Sequence, residues 1–279
     1  MILIEKTRKV FRLIYFKVCK LRLQLRKKPQ IGLDRKVPVI ALGTHYGGWK
    51  VPEGYLDKKS ICYFAGAGID ISFDVEVARK FGTHVYIIDP TPVARQHFDT
   101  LVERTKNGEK LEINRSRDLF YSIETETLKL LHFVDLGLWS SDTTLKFFEP
   151  GNSKTMVSHS VVNLHKTEAY FEAEVVKVAT LMKKLGHTRV DFLKIDIEGA
   201  EYEVIDNVIE DKLNIGVLGI EFDEVHHPLN KKSVERIEQC IQKIRDAGYL
   251  VVDVDSHFNV TFLNEQVYDR LYPKGQNNV

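Results

Sequence analysis

Two glycines stand where a predicted strand meets a predicted helix. Gly66 and Gly68 flank Ala67 directly after the apolar run from Ile61 to Ala65. Glycines allow the backbone to approach a ligand closely, and the free amides at the start of a helix bind polar groups. A full dinucleotide fingerprint, G-x-G-x-x-G, would need a third glycine where this chain has Ile71. Taken alone, the turn is equally compatible with a tight strand-to-helix connection that binds nothing.

An acid ends the next predicted strand. Asp89 follows the apolar run from Val85 to Ile88 and comes about 20 residues after the glycines. A carboxylate at this position can accept hydrogen bonds from both hydroxyls of a ribose. The alternative is that Asp89 caps the helix that follows. The two motifs together predict a ligand that contains a nucleoside, held by the glycine turn and Asp89.

A third group of acids follows another apolar strand, Val190–Ile195. Asp196 ends this strand, and Glu198 and Glu201 come shortly afterwards. Open α/β sheets bind ligands outside the carboxyl ends of their strands, so we expect Asp196 beside the glycine turn. Acids at the start of a helix also stabilise the helix dipole. We therefore assign the dipole role to Glu198 and Glu201, and a functional role to Asp196.

The segment from Lys194 to Glu201 resembles the K-I-D-x-E-G-A-E hallmark of the FkbM-type methyltransferases. The resemblance extends over roughly residues 60–265, and two further stretches share it, residues 70–74 and 137–142. It implies a class I methyltransferase fold and S-adenosylmethionine as the cofactor. It also implies that the methyl acceptor is a hydroxyl of a sugar or glycan-type molecule.

The same resemblance points to candidate cofactor contacts. They are Gly66, Ala67, Gly68, Asp70, Asp89, Leu138, Trp139 and Asp196. Asp89 is expected on the ribose, and Leu138 and Trp139 near the adenine. Many family members read G-A-N-x-G at the glycine turn, and Asp70 replaces the last of those glycines here. Asp70 is a candidate contact for the methionine amino group.

A hydroxyl acceptor needs a base. Methyl transfer from a sulfonium is an in-line displacement, so the protein supplies positioning and removes the hydroxyl proton. The candidate bases are Asp196 and His226, which has His227 beside it. Histidine titrates near neutral pH and suits this task, although a histidine in a loop is often plain surface.

Two other polar runs contain side chains that could bind a metal ion. Residues 223–227 and 253–257 both combine oxygen and nitrogen ligands at tight spacing, yet we expect no metal site in either. His159 lies in a long insertion between the third and fourth predicted strands. It is either part of a substrate pocket or an ordinary loop residue.

A sheet with alternating helices is needed to bring these residues together. Short apolar runs alternate with amphipathic stretches from residue 61 onward, which is typical of parallel strands joined by helices. The predicted strands are Ile61–Ala65, Val85–Ile88, Leu131–Leu138, Val190–Ile195, Ile215–Phe222, Tyr249–Val254 and Asn259–Leu263. The predicted helices are Phe73–Phe81, Pro92–Thr105, Tyr202–Ile209 and Val234–Ala247.

The link between the last two predicted strands is too short for a helical crossover, so the final strand should be antiparallel to its neighbour. The family resemblance implies the same arrangement. The predicted fold class is therefore α/β and Rossmann-like, a class I methyltransferase fold with a mostly parallel seven-stranded sheet whose last strand is reversed.

The N-terminal segment differs in charge from the rest of the chain. The formal net charge is +1, yet residues 1–28 hold ten Lys or Arg residues and one acid, Glu5. If residues 4–25 are helical, one face is apolar and much of the remainder is basic. We predict a basic amphipathic helix in residues 1–30 and a methyltransferase domain in residues 31–279. The helix either packs on protein or contacts an anionic membrane surface through residues 1–28.

Composition sets the expected location and partners. The three cysteines have no C-x-x-C spacing, and no apolar run reaches the roughly 20 residues needed to span a bilayer. We therefore expect a cytoplasmic protein, with peripheral membrane contact left open. We expect no nucleic-acid partner, and homo-oligomers remain compatible with the sequence.

Two alternatives are kept. An NAD(P)-dependent oxidoreductase shares the glycine turn and the acid, although Ile71 and the segment from Lys194 to Glu201 argue against it. A non-catalytic membrane-surface adaptor with a relic methyltransferase fold would use the basic helix instead.

Overall fold

A mixed sheet of seven strands forms the centre of the computed structural model, which describes residues 28–115, 118–148, 161 and 167–273. The strands in chain order are β1 (Val39–Leu42), β2 (Trp49–Pro52), β3 (Ile61–Ala65), β4 (His84–Ile88), β5 (Leu131–Val134), β6 (Gly137–Leu138), β7 (Thr143–Phe148), β8 (Tyr170–Val176), β9 (Val190–Ile195), β10 (Ile215–Glu221), β11 (Tyr249–Val254) and β12 (Asn259–Asn264).

The central sheet has the strand order β11-β12-β10-β9-β3-β4-β5. The strands β5, β4, β3, β9 and β10 are parallel, whereas β12 is antiparallel to both β10 and β11. This confirms the predicted mostly parallel sheet with a reversed last strand. The chain runs outward from β3 to β5 and then returns to β9 on the other side of β3. The order therefore reverses between β3 and β9, the switch point at which such sheets bind ligands.

Helices cover both faces of the sheet because its strands are apolar on both sides. In β3, Cys62 and Phe64 belong to one buried cluster, while Tyr63 and Ala65 belong to the other. The helices in chain order are α1 (Ser72–Phe81), α2 (Pro92–Lys106), α3 (Thr125–Leu128), α4 (Val178–Leu185), α5 (Glu201–Glu210), α6 (Ser233–Asp246) and α7 (Glu265–Leu271). Apolar residues of α1 and α2 fill the first cluster, and those of α4, α5 and α6 fill the second.

The predicted helices and six of the seven predicted strands match the structure to within one residue at each end. The prediction of a single strand over residues 131–138 is wrong. The chain leaves the central sheet after Val134, where the Leu136 amide donates to the Val134 carbonyl at 2.8 Å. Gly137 and Leu138 then pair with β8 in a separate three-stranded sheet. A Cβ atom on Gly137 would lie 2.8 Å from the Val175 side chain, so this pairing needs glycine.

Several elements were not foreseen in the sequence. They are the β1–β2 hairpin, the pair β7 and β8 within the insertion, and the helices α3, α4 and α7. The hairpin strands have four residues each, too few for a clear alternation of apolar and polar residues. The hairpin matters for the site because the turn at its end reaches the glycine turn after β3.

Some predictions concern residues outside the described ranges. The predicted amphipathic helix at residues 4–25 and His159 both fall there. The domain division at residue 30 also stays a prediction. Within the described residues, no helix is both long and apolar enough to cross a membrane.

A buried carboxylate holds the loop that follows β10. The side chain of Glu224 is only 3% exposed and forms an ion pair with Arg236. It also accepts hydrogen bonds from the Tyr202 hydroxyl at 3.0 Å and from Ser233 Oγ at 3.2 Å. Burial raises the pKa of Glu224, but the hydrogen bonds from Arg236 and Tyr202 outweigh it and keep the pKa below its usual value. The pKa of Glu224 is therefore lower in the folded protein than in the unfolded chain. The network stabilises the fold fully at pH values above the unfolded-state pKa of Glu224, and this stabilisation is lost as the pH falls through its folded-state pKa.

We predict that Glu224→Ala lowers the free energy of unfolding by about 3 kcal/mol, because it leaves the partners of a buried charge without an acceptor. Urea denaturation at neutral pH measures the change. The matched control is Glu126→Ala, which removes an exposed ion pair with Lys129 and should cost under about 1 kcal/mol. Equal losses in the two variants would contradict the role of Glu224.

Candidate active site

A pocket lies at the carboxyl ends of the parallel strands, at the switch point between β3 and β9. Its lining comes from the turns after β3, β4, β9 and β10, together with residues of the β1–β2 and β11–β12 turns. Open α/β sheets place their ligand sites at this position. The pocket is therefore where the three sequence motifs meet.

The glycine turn after β3 passes against the end of β9. Gly66 has φ +85°, and a Cβ atom there would lie 1.6 Å from the Asp196 carbonyl oxygen. Gly68 also has a positive φ, +52°, but a Cβ atom there would meet open space. Gly66 is thus required by close backbone packing, whereas Gly68 is required only by its backbone conformation.

Asp89 holds this turn from the neighbouring strand. Its Oδ2 accepts hydrogen bonds from the Ala67 amide at 2.8 Å and the Gly68 amide at 3.1 Å. Its Oδ1 accepts from the amide of Thr91 at 2.8 Å and from the Thr91 hydroxyl at 2.5 Å. The side chain of Thr91 in turn caps α2. Asp89 therefore supports the glycine turn directly, a role that the sequence analysis did not assign to it.

Lys194 holds the same turn from the other side. Its side chain is 6% exposed, and its Nζ donates to the Gly66 carbonyl at 3.0 Å and lies 3.1 Å from Asp196 Oδ2. Burial lowers the pKa of this ammonium, but the nearby carboxylates of Asp196 and Asp74 outweigh burial and raise the pKa above its usual value. The buried lysine is therefore a permanent cation at the switch point.

Asp196 and Glu221 form a pair of acids beside Lys194. Ile195 of β9 pairs with Ile220 of β10 in the parallel register. The residues that follow them, Asp196 and Glu221, therefore lie side by side at the ends of the two strands. Burial, together with the neighbouring carboxylate of Asp196, raises the pKa of Glu221 well above its usual range. Two carboxyl groups that share one site disfavour double ionisation.

The turn after Asp196 is shaped by the next acids of the motif. Glu201 is the first residue of α5, and its Oε1 accepts a hydrogen bond from the Gly199 amide at 2.9 Å. Burial raises the pKa of Glu201 to about 8. Glu198 has φ +56° and lines the pocket, ahead of the helix. Glu201 thus has a structural contact at the helix start, while Glu198 faces the pocket.

Asp70 connects the glycine turn to the β1–β2 hairpin. Its Oδ2 accepts a hydrogen bond from the Thr44 hydroxyl at 2.7 Å, and its Oδ1 accepts from the Ser72 amide at 3.1 Å. Asp70 also lines the pocket, as do Tyr46 and Gly47 of the hairpin turn. The hairpin therefore forms one wall of the site.

Most of the predicted site residues come together in this pocket. Its lining includes Gly66, Ala67, Gly68, Asp70, Asp89, Leu138 and Asp196. Trp139 is not part of the lining, and its backbone amide donates to the Val176 carbonyl at 3.0 Å. His226 is also outside the lining. Its Nε2 lies 2.9 Å from the His257 carbonyl oxygen and 3.9 Å from Glu221 Oε1.

Residues 64–251 match the model of the methyltransferase FkbM domain, which is more than half of the chain. The chain belongs to the FkbM methyltransferase family. This membership confirms the resemblance seen at Lys194–Glu201 and gives no support to the oxidoreductase alternative.

Other comparisons of this FkbM family member are more distant. No curated protein matches the chain. Among solved structures it is similar to the METTL16 methyltransferase domain, with 10% sequence identity and a TM-score of 0.38. The alignment covers 76% of this chain and 63% of that one, so this chain spans less than two thirds of that structure's length.

Several lining residues were not predicted from the sequence. They are Lys194, Glu221, His257 and Asn259. Glu221 could have been predicted from the sequence, because it is an acid at the end of a buried strand. Asp89 and Asp196 likewise follow buried strands. His257 belongs to the polar run 253–257, which the sequence does not connect to this pocket. Asn259 carried no signal, because the β11–β12 turn reaches the pocket only through the pairing of β12 with β10.

Within the described residues, no group of three His, Cys, Asp or Glu side chains is arranged to hold a metal ion. Asp255 instead closes the β11–β12 turn. Its Oδ1 accepts hydrogen bonds from the amides of His257 at 2.8 Å and Asn259 at 2.9 Å. These contacts place the side chains of the turn at the pocket.

We predict that Gly66→Ala destabilises this protein by about 2–3 kcal/mol or more, because the added Cβ meets the backbone of Asp196. Gly68→Ala is the matched control, with the same residue change at a positive φ but in open space, and should cost about 1 kcal/mol. Thermal unfolding followed by circular dichroism compares the two. A smaller loss for Gly66→Ala than for Gly68→Ala would rule out the close packing described here.

Proposed function

We propose that this chain binds S-adenosylmethionine in the switch-point pocket and transfers its methyl group to a hydroxyl of a sugar or glycan-type acceptor. The observation that carries the cofactor assignment is the meeting of the glycine turn, Asp89 and Asp196 in one pocket. Family membership supports the reaction type. The sugar class of the acceptor rests on the resemblance alone, and the contacts of the pocket are compatible with it.

The cofactor extends along the carboxyl ends of the strands, from β5 toward β10. The adenine lies near Gly137 and Leu138, and the ribose hydroxyls donate to Asp89. A ribose hydroxyl can take the place of the Thr91 hydroxyl at Asp89 Oδ1, which leaves the amide bonds to the glycine turn intact. The methionine portion then points toward Asp196.

The charge of the pocket suits a cationic ligand. Its lining holds six carboxyl side chains and one lysine among the described residues: Asp70, Asp89, Asp196, Glu198, Glu221, Asp223 and Lys194. When bound, S-adenosylmethionine supplies an electrophilic methyl group on a positively charged sulfur. Carboxylates placed around that charge stabilise the bound cation by direct Coulomb attraction.

The acceptor side of the pocket has polar atoms that lack partners. Asn259 is 6% exposed, and its Oδ1 has no hydrogen-bond partner within the described part of the chain. The same holds for Nε2 of His257, and both residues line the pocket. Buried polar groups in native proteins are normally hydrogen-bonded, so these atoms are suited to a ligand rich in hydroxyls.

The base that removes the proton of the acceptor hydroxyl is one of the acids at the ends of β9 and β10. Asp196 lines the pocket, whereas the ring of His226 is turned to the His257 carbonyl. We therefore favour Asp196, with Glu221 beside it, over His226. The chain contributes orientation of the acceptor and a carboxylate within reach of its proton, the two contributions that an in-line displacement needs.

We predict that Asp89→Ala weakens S-adenosylmethionine binding by about 10- to 100-fold, because hydrogen bonds to a charged group contribute about 1.5–3 kcal/mol. Isothermal titration calorimetry measures the affinity, with Asp99→Ala as a control on the exposed face of α2. Because Asp89 also holds the glycine turn, S-adenosylhomocysteine and its 2′,3′-dideoxy analogue are compared in both proteins. Removing the hydroxyls should weaken binding to the wild type and have little effect in Asp89→Ala; equal effects in both would refute the ribose assignment.

The reaction is tested with S-adenosylmethionine that carries a labelled methyl group and a panel of sugars and glycans, with mass spectrometry as the readout. We expect labelled methyl ethers. Asp196→Asn should lower the rate by at least about 100-fold, whereas His226→Gln should stay within about threefold. Label that appears only on nitrogen or carboxyl groups would overturn the hydroxyl acceptor, and the reverse ranking of the variants would overturn the choice of base.

A further inference from the structure

Glu221 is an acid without a cation of its own. Lys194 lies 3.1 Å from Asp196 Oδ2 and gives its other contact to the Gly66 carbonyl. Within the described residues, no lysine or arginine lies within ion-pair distance of Glu221. His226 is the nearest side chain that can carry a positive charge, 3.9 Å away, and its Nε2 already contacts the His257 carbonyl. One cation therefore serves two neighbouring carboxyl groups.

Among the described residues around Glu221, three further carboxyl groups outnumber the one lysine. Titratable and charged groups from five elements surround Glu221. Lys194 and Asp196 come from β9 and its end, and Glu198 comes from the turn that follows. The others are Asp223 and His226 of the loop after β10, Tyr46 of the β1–β2 turn and His257 of the β11–β12 turn. On the other side of Glu221, β12 contributes the neutral Asn259, which pairs with it in register. With both acids ionised, this edge of the pocket would carry uncompensated charge, which is costly in a partly buried site.

We propose that Asp196 and Glu221 hold one proton between them when no cationic ligand is bound, and that binding of the sulfonium cation releases this proton to solvent. The pair would thereby act as a charge sensor that favours the methyl donor over its neutral-sulfur product. This inference rests on the proposed function, since it assumes that S-adenosylmethionine binds in this pocket.

The proton balance fits the reaction. During transfer the carbon–sulfur bond breaks, the bond from the hydroxyl oxygen to the methyl carbon forms, and the positive charge on sulfur disappears. The hydroxyl loses its proton at the same time, and the carboxyl pair takes up one proton in place of the one it released. The site then regains its original charge, with S-adenosylhomocysteine bound less tightly than the donor.

The geometry supports a shared proton. Asp196 and Glu221 come at the same level on adjacent parallel strands, directly after the paired Ile195 and Ile220, and both line the same pocket. Burial and the neighbouring carboxylate of Asp196 raise the pKa of Glu221. A cation placed beside the pair replaces the proton as the compensating charge, so ligand binding and proton release are thermodynamically linked.

The test is isothermal titration calorimetry at neutral pH in several buffers that differ in ionisation enthalpy. The dependence of the observed enthalpy on the buffer gives the number of protons released per ligand bound. We expect close to one proton for S-adenosylmethionine and far fewer for S-adenosylhomocysteine. An analogue that carries an ammonium group in place of the methylsulfonium should behave like the methyl donor, because the charge and not the methyl group causes the release.

The linkage also predicts a pH dependence with a definite sign. While the pair holds its proton, the dissociation constant for S-adenosylmethionine should fall by up to about tenfold per pH unit as pH rises. Above the pKa of the pair it should become constant. The affinity for S-adenosylhomocysteine should change much less over the same range.

Glu221→Gln removes the shared proton and should abolish both the proton release and the pH dependence of S-adenosylmethionine binding. Glu210→Gln is the matched control, an exposed glutamate at the end of α5 that should behave like the wild type. If Glu221→Gln does not fold, Asp196→Asn provides the second variant, and the contrast between the two ligands in the wild type tests the proposal without any variant.

The outcomes separate the two proposals. If the wild type binds neither S-adenosylmethionine nor S-adenosylhomocysteine, the proposed function fails. If it binds both with equal proton release, or if Glu221→Gln still releases a proton, the charge sensor is overturned while the proposed function stands.

Discussion

The buried ammonium group of Lys194 is the interaction on which the site depends. A charge in an apolar interior must be paired and hydrogen-bonded to be tolerated. Lys194 meets this requirement with the Gly66 carbonyl and the carboxylate of Asp196, and it lies 5.6 Å from the ring centre of Trp49. One side chain therefore joins the glycine turn to the end of β9 and lies near Trp49 of the β1–β2 hairpin. The switch point is held together by charge as well as by packing.

The glycine turn is fixed from two directions as a result. Lys194 binds the carbonyl at its start, and Asp89 binds the amides of Ala67 and Gly68 that follow. Gly66 has no room for a side chain between these contacts. A turn constrained in this way presents a rigid surface to a ligand, and pre-organisation of this kind lowers the entropic cost of binding.

The sequence predicts the central sheet well because its strands are apolar runs that end at polar residues. It fails where structure depends on distant pairing. The run from Leu131 divides after Val134 because Gly137 packs on the insertion, which no local pattern reveals. The same limit applies to the site: residues at strand ends such as Asp196 were predictable, whereas Asn259 reaches the pocket only through the register of β12 with Glu221. The position of the His226 ring, whose Nε2 lies 2.9 Å from the His257 carbonyl oxygen, is likewise set by tertiary contacts.

The acids at the carboxyl ends of the strands have separate roles. Asp89 accepts hydrogen bonds from the glycine turn after β3, and Glu201 accepts one from the turn after β9. Asp196 and Glu221 lie beside the single cation of Lys194 and remain available to a ligand. The central claim is that the pocket at the switch point binds the methyl donor, and a crystal structure with bound S-adenosylhomocysteine tests it most directly. We expect ribose hydroxyls on Asp89, the adenine beside Leu138 and the sulfur facing Asp196. A nucleoside bound elsewhere, or with its ribose away from Asp89, would show that this pocket does not bind the methyl donor as proposed.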